Sequence, residues 1–311
     1  MKILINLLIS LSLLMASVSV SHGKYRYDTN FSKLWNSRTS TTANDTETDI
    51  ERNTLYRKLM SEMGILFAPS FMAPAETLGY MGFALDLMYG VSTISANEDY
   101  WKNGVDGTPS SVVQTMGLQF RKGMWLPLPG FEIGGGVKYV LQSHMYAPYV
   151  FAKLALAEGY FKWPLPALAV RGHGIRVMGS TDVDITIASV DVSISKSFGI
   201  QSTINLTPYA GYNALMIISD SRVIVGEKWV EGTRTYGDVI FDDQDTIIRH
   251  RVFFGARLNY YKFVFTLEGV FSLAGTSTDE VIVNASTNAT QQIKDASKLQ
   301  QTYTLSIGWD W

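Results

Sequence analysis

The 311-residue chain contains no cysteine, which excludes disulfides and thiolate metal centres. An exported protein built this way has no thiol to oxidise in the periplasm. Charge is scarce. Only 17% of residues are charged, and 26 Lys and Arg nearly cancel 28 Asp and Glu. Such a balance offers no basic face for nucleic acid, and no nucleic-acid partner is expected. Beyond the N-terminus no stretch approaches the roughly 18 unbroken apolar residues of a spanning helix. There is no Walker loop, HExxH or CxxC. The glycine-rich GFEIGGGVK lacks the strand–turn–helix setting of a nucleotide site, so its glycines read as room for a closely approaching segment or as points of curvature.

What is present is apolar and aromatic. Hydrophobic residues make up 46% and aromatics 12%, with 16 Tyr, 15 Phe and 7 Trp, at a mean hydropathy of +0.06. That value is low for a helical membrane protein and high for a soluble one. The chain opens with Lys2, an apolar run from Ile3 to Ala16 and small residues near Ser21 to Gly23. This is the pattern of a secretory leader over 1–23, too short to cross a bilayer comfortably. Its removal takes one positive charge and moves the net charge from −2 to −3. Residues 24–48 are polar and read as loop. Within a 24–63 extension, residues 49–63 place Leu55, Tyr56, Leu59, Met60 and Met63 on one face of an amphipathic helix, with Asp49 and Arg52 spaced for a supporting pair.

From Gly64 the period becomes two. Tyr303, Leu305, Ile307, Trp309 and Trp311 share one face of the last segment, and Thr302, Thr304, Ser306, Gly308 and Asp310 share the other. The same alternation runs through 82–90, 131–140, 203–213, 251–260 and 263–271. It also runs through DITIASVDVSISK with a phase slip near Ala188 to Val190, which a β-bulge would absorb. Each segment suits the 9–11 residues of a tilted transmembrane strand. Tight connections at 126–130, 161–166, 197–201 and 259–262 mostly take turns with wide ones at 95–110, 219–247 and 276–298. Aromatics gather near the tight turns (Trp125, Phe131, Tyr160, Phe161, Trp163, Phe198, Tyr260, Tyr261, Phe263, Trp311). A second group, Tyr89, Tyr146, Tyr149 and Tyr212, lies towards the long loops. A β-sandwich would also alternate, but it needs neither leader, nor two girdles, nor alternating loop lengths.

These features predict an all-β protein, an antiparallel up-and-down transmembrane β-barrel over 64–311 with a short N-terminal helix. It has about twelve strands if GILFAPSFM (64–72) supplies one, despite Pro69 and Pro74, and ten otherwise. The terminal ladder ending in Trp311 resembles the C-terminal signal of Gram-negative outer-membrane barrels. The stretches LGYMGFALDLMYG, LQFRKGMWLPLPGFEIGGG, LALAEGYFKWPLPALAVRGHGIRVMGS, VSISKSFGI and LTPYAGYN resemble a family of uncharacterised outer-membrane β-barrel proteins. The resemblance implies a barrel in the outer membrane, with its lipid and the barrel assembly machinery as partners. It implies no reaction and no ligand.

The polar strand faces carry Asp86, Arg121, Glu132, Lys138, Lys153, Arg171, His173, Asp191, Arg251, Arg257 and Glu268. Exposing a charged Arg or Lys to lipid costs ~2–4 kcal/mol, so these face the lumen. They either line a pore for small solutes or fill a narrow interior with ion pairs. No catalytic, cofactor or metal residue is expected. Ser143 and His144 are adjacent and point apart. His250 with Asp242, Asp243 and Asp245 is the one cluster that mimics an outer-rim protease site. The functional expectation is a passive porin-like channel or structural barrel. The alternative is an outer-membrane enzyme of lipase or protease type, or a receptor or adhesin acting through 219–247 and 276–298. The extension would plug the lumen, lie on the periplasmic surface or touch another protein.

Overall fold

The computed structural model describes residues 25–38, 46–125, 130–158, 165–200, 203–230, 233–284 and 289–311. The leader, and Tyr160, Phe161 and Trp163 at one tight turn, lie outside the described residues.

Two N-terminal helices, α1 (Phe31–Asn36) and α2 (Thr46–Phe67), precede the first strand. The strands are β1 (Phe83–Thr93), β2 (Val112–Met124), β3 (Phe131–Val140), β4 (Tyr146–Ala157), β5 (Ala167–Arg176), β6 (Val183–Ser195), β7 (Phe198–Ile200), β8 (Ile204–Ser221), β9 (Ile224–Val230), β10 (Thr233–Val239), β11 (Ile247–Tyr260), β12 (Phe263–Ser272), β13 (Thr278–Asn284), β14 (Ala289–Lys294) and β15 (Gln300–Asp310). A short helix α3 (Asp99–Gly104) sits between β1 and β2. Strands β1 to β6, β8, β11, β12 and β15 pair antiparallel in that order. β15 returns to β1 with Leu85 opposite Trp309, so the sheet closes on itself. Short β7 pairs on β8 alone. Closure removes both sheet edges, as a lipid environment requires.

The barrel therefore has ten strands, not twelve. Residues 64–67 finish α2, and the strand expected over 64–72 does not form. Pro69 and Pro74 bring no N–H to a ladder, and Met72 takes φ 47°, in the left-handed region. The helix is also longer than expected, Thr46–Phe67, and past its first turn it is buried almost all round. Its polar face is not solvated because loop side chains meet it: Arg57 donates to the Asp245 carbonyl at 3.0 Å, and Ser61 to Asp295 at 2.7 Å. The wide connections are folded, carrying the β9–β10 and β13–β14 hairpins.

Outward residues form an apolar belt. Leu87, Val190, Ile194, Phe254, Leu267, Leu305 and Ile307 are all exposed. Trp125, Phe198, Tyr260, Tyr261, Phe263 and Trp311 are exposed at the tight-turn end, and Tyr89, Tyr146 and Tyr212 nearer the long loops. Tyr149, expected in that second group, instead points inward and donates to Gln119 at 2.9 Å.

Strand β6 corrects another expectation. Its pairings with β5 and β8 run without a register shift, so there is no bulge. What changes along it is the surroundings. In its lower half Ser189, Asp191, Ser193 and Ser195 face in while Ala188, Val190, Val192 and Ile194 face out. Above, Val183, Ile185 and Ile187 face in while Asp184 and Thr186 face out. There the inward residues join the apolar side of α2 in one core. The apparent slip is a reversal of polarity across the strand, not a change of register.

Candidate functional site

Lipid outside and a closed ring inside force the polar side chains of the strands to find partners in the lumen. The ten charged residues anticipated above and His173 are all buried inside the barrel, each at most 6% exposed. Many are brought together on one object, the extended segment 68–78 that descends from the end of α2 towards the tight-turn end.

This segment has no ladder partner, yet many of its main-chain groups bond to side chains of the barrel wall. The Ala68 carbonyl accepts from Lys138 Nζ at 2.8 Å and that of Pro69 from Arg251 Nη1 at 3.4 Å. The Phe71 carbonyl accepts from Arg171 Nη1 at 3.0 Å and that of Met72 from Arg257 Nη1 at 3.4 Å. Lys153 Nζ donates to the carbonyls of Pro74 at 3.2 Å and Glu76 at 2.9 Å. Amides are met by carboxylates and a hydroxyl. Phe71 and Met72 N–H donate to Glu268 Oε1 and Oε2 at 2.8 and 2.7 Å. Ala75 N–H donates to Ser195 Oγ at 3.0 Å, Thr77 to Glu158 at 2.7 Å, and Leu78 to Glu132 at 3.1 Å.

The clamps are themselves paired. Arg171 contacts Asp191 at 3.1 Å, Lys153 contacts Glu132 at 3.1 Å and Arg257 contacts Asp310 at 2.7 Å. Arg121 lies among Asp86, Glu132 and Asp310 at 3.4, 3.6 and 3.9 Å. Asp86 and Arg121 do not touch the segment; they balance the ring that holds it. His173 lies 3.3 Å from Ser189 Oγ, its ring edge-on to Phe71. Phe71 is fully buried, stacked on Phe253 at 3.9 Å between the guanidiniums of Arg171 and Arg251, 5.1 and 5.0 Å from its centroid. A void beside the segment, lined by Ser70, Lys138 and Thr304, measures about 10 Å³, room for a single water at most.

Above, α2 and the loops cap the mouth. Buried Glu62 accepts from Ser95 N–H at 3.0 Å, and from Ser95 Oγ, Tyr100 OH and Trp101 Nε1 at 2.7 Å each. Burial beside this carboxylate pushes the Tyr100 phenol well up. The extension itself starts at the mouth. Thr29 bridges to Val105, Phe31 N–H donates to Asp182 at 2.8 Å, and Trp35 Nε1 donates to the Glu227 carbonyl at 2.8 Å. Residue 25 and the start of β1 therefore lie at opposite ends of the barrel.

The protease-like cluster is not assembled. His250 sits beside Tyr212 at the outward surface, with Nδ1 2.5 Å from the phenol, whereas Asp242 accepts from Asn53 of α2 at 2.7 Å and Asp245 N–H donates to Asp279. Ser143 and His144 share Asp28, at 3.2 and 2.6 Å, instead of contacting each other. Burial raises the Asp28 carboxyl, but hydrogen bonds from the His144 and Tyr25 amides and the His144 ring outweigh it and hold it below the usual carboxylate range. Among the described residues no group of His, Asp and Glu is arranged to hold a metal ion.

Sequence reasoning missed Phe71, Tyr209 and Ser195 as members of this interior. The usable signal was negative: two prolines and no period over 64–78, opposite strand faces rich in long cations.

A closed antiparallel barrel with an apolar belt, aromatic rims and a polar interior is a transmembrane β-barrel of outer-membrane type. No protein-family model and no curated protein matches the chain. Among solved structures it is similar to the attachment invasion locus protein Ail of Yersinia pestis, at 12% identity over 75% of this chain and 99% of that one, TM-score 0.27. It is similar to outer membrane protease OmpT from Escherichia coli, at 9% over 74% and 95%, TM-score 0.30. It is also similar to the translocator domain of autotransporter NalP from Neisseria meningitidis, at 9% over 87% and 99%, TM-score 0.32. At identities and TM-scores this low, no residue role transfers from any of them.

Proposed function

We propose that the protein resides in a bacterial outer membrane as a closed, structural barrel that works at its outer face, presenting α1, α3 and the two loop hairpins as a receptor or adhesive surface. The 1–23 leader directs export and is cleaved near Ser21 to Gly23. The assembly machinery reads β15, whose outward ladder ends in Trp311. What supports the closed reading above all is that segment 68–78 fills the lumen and engages the very charges that a pore would offer to a solute. A porin-like role for small solutes would require this segment to leave. No reaction is proposed, since His250 stands apart from Asp242 and Asp245.

The test is conductance of the purified full-length protein in planar bilayers, together with liposome swelling in small sugars. The expected outcome is a folded, heat-modifiable protein with no unitary steps and no swelling. Steady open steps from the intact protein would restore the channel reading and remove this one.

A further inference from the structure

The lumen treats segment 68–78 in an unusual manner, because it recognises main chain more than side chain. Six carbonyls, from Ala68 to Glu76, accept from Lys138, Arg251, Arg171, Arg257 and Lys153. Five amides donate to Glu268, Ser195, Glu158 and Glu132. Every polypeptide carries these groups. The deepest side-chain anchor is Phe71, held between Phe253 and two guanidiniums. Few other side-chain bonds are made: Ser70 to Thr304 at 3.0 Å, Glu76 to Ser197, and Thr77 to Glu158 at 2.8 Å.

The geometry points to a binding site that no motif announces: the lumen is a channel for an extended polypeptide strand, reading backbone amides and carbonyls together with one aromatic side chain, and residues 68–78 are its resident ligand. Cations and carboxylates are both present on the wall, and a peptide main chain presents both acceptors and donors to them. The site is independent of whether the intact protein excludes solutes, which conductance reads separately.

The experiment uses full-length protein with a specific protease site at the exposed Tyr80 and Met81 turn, folded in micelles and then cut, so that folding precedes the perturbation. The severed N-terminal fragment is released with urea and separated, the urea is removed, and a fluorescent peptide spanning 46–79 is then offered, with uptake read by anisotropy. The native peptide should enter. A peptide with Ser70, Glu76 and Thr77 all changed to Ala should bind within about tenfold of it. Peptides with N-methylated Phe71 and Met72 amides, or with Phe71→Ala, should bind a hundredfold or more weaker, since charge-assisted bonds to Glu268 or the aromatic anchor are lost. Absence of any uptake overturns the proposal. So does full binding of the N-methylated peptide, or a hundredfold loss from the three side-chain changes alone.

Discussion

Replacing Glu268 by Gln changes one atom and tests the interior directly. Glu268 Oε2 accepts from Met72 N–H at 2.7 Å and from Tyr209 OH at 2.7 Å, while Oε1 accepts from Phe71 N–H at 2.8 Å. A glutamine placing its oxygen at the first position sets an NH₂ against the Phe71 amide, donor facing donor. One charge-assisted bond is lost, about 1.5–3 kcal/mol, and a buried amide is orphaned, about 1–3 kcal/mol. The expected destabilisation is about 3–5 kcal/mol, read by urea titration of tryptophan fluorescence in micelles and by a lower temperature of the heat-modifiable gel shift. The exposed Glu280→Gln is the control and should stay within about 0.5 kcal/mol of the parent. A loss below about 1 kcal/mol in Glu268→Gln would refute the account of the segment as held by these bonds.

Acid should loosen the extension before the barrel. The Asp28 carboxylate is depressed, so its contribution is complete above the ordinary carboxylate pKa of about 4 and is lost as pH falls further. Hydrogen exchange over 25–38 should rise there, and Asp28→Asn should make that exchange fast at neutral pH too. Leu267→Arg, mid-belt and exposed, should cost ~2–4 kcal/mol; a neutral result would mean the belt does not meet lipid. Glu62→Gln breaks the four-donor arrangement around one carboxylate and should cost about 2 kcal/mol. It should also open fully buried Trp101 to iodide quenching, and unchanged quenching would contradict its role in pinning the α3 loop.

The strands were legible because lipid and lumen impose opposite demands on neighbouring residues. Tyr303 to Trp311 alternates without exception, and the faces assigned to 251–260 and 263–271 are those observed. The inward set was legible for the same reason, since a cation such as Arg257 has nowhere else to go. What the charges hold was not legible. Lys138, Arg171 and Glu268 lie on different strands far apart in sequence, and only closure aims them at one path. Segment 64–72 was misread because apolar residues bounded by prolines fit an edge strand as well as a buried extended chain, and side-chain partners leave no period. Tyr149 was misplaced because tyrosine suits either a lipid rim or a buried hydrogen bond. The reversal in β6 looked like a defect because alternation alone does not say which solvent lies on which side.

That reversal divides the protein's cohesion between two kinds of force. Beneath it, the tube is lined by ion pairs and hydrogen bonds and wrapped in grease, so extremes of pH threaten it while its surroundings are supplied by the bilayer. Beyond it, the wall and its caps obey the rules of an ordinary water-soluble domain, with Ile185, Ile187, Leu215 and Ile217 as an oily centre. Chaotropes should find that upper storey first, and the choice of detergent should matter to it least.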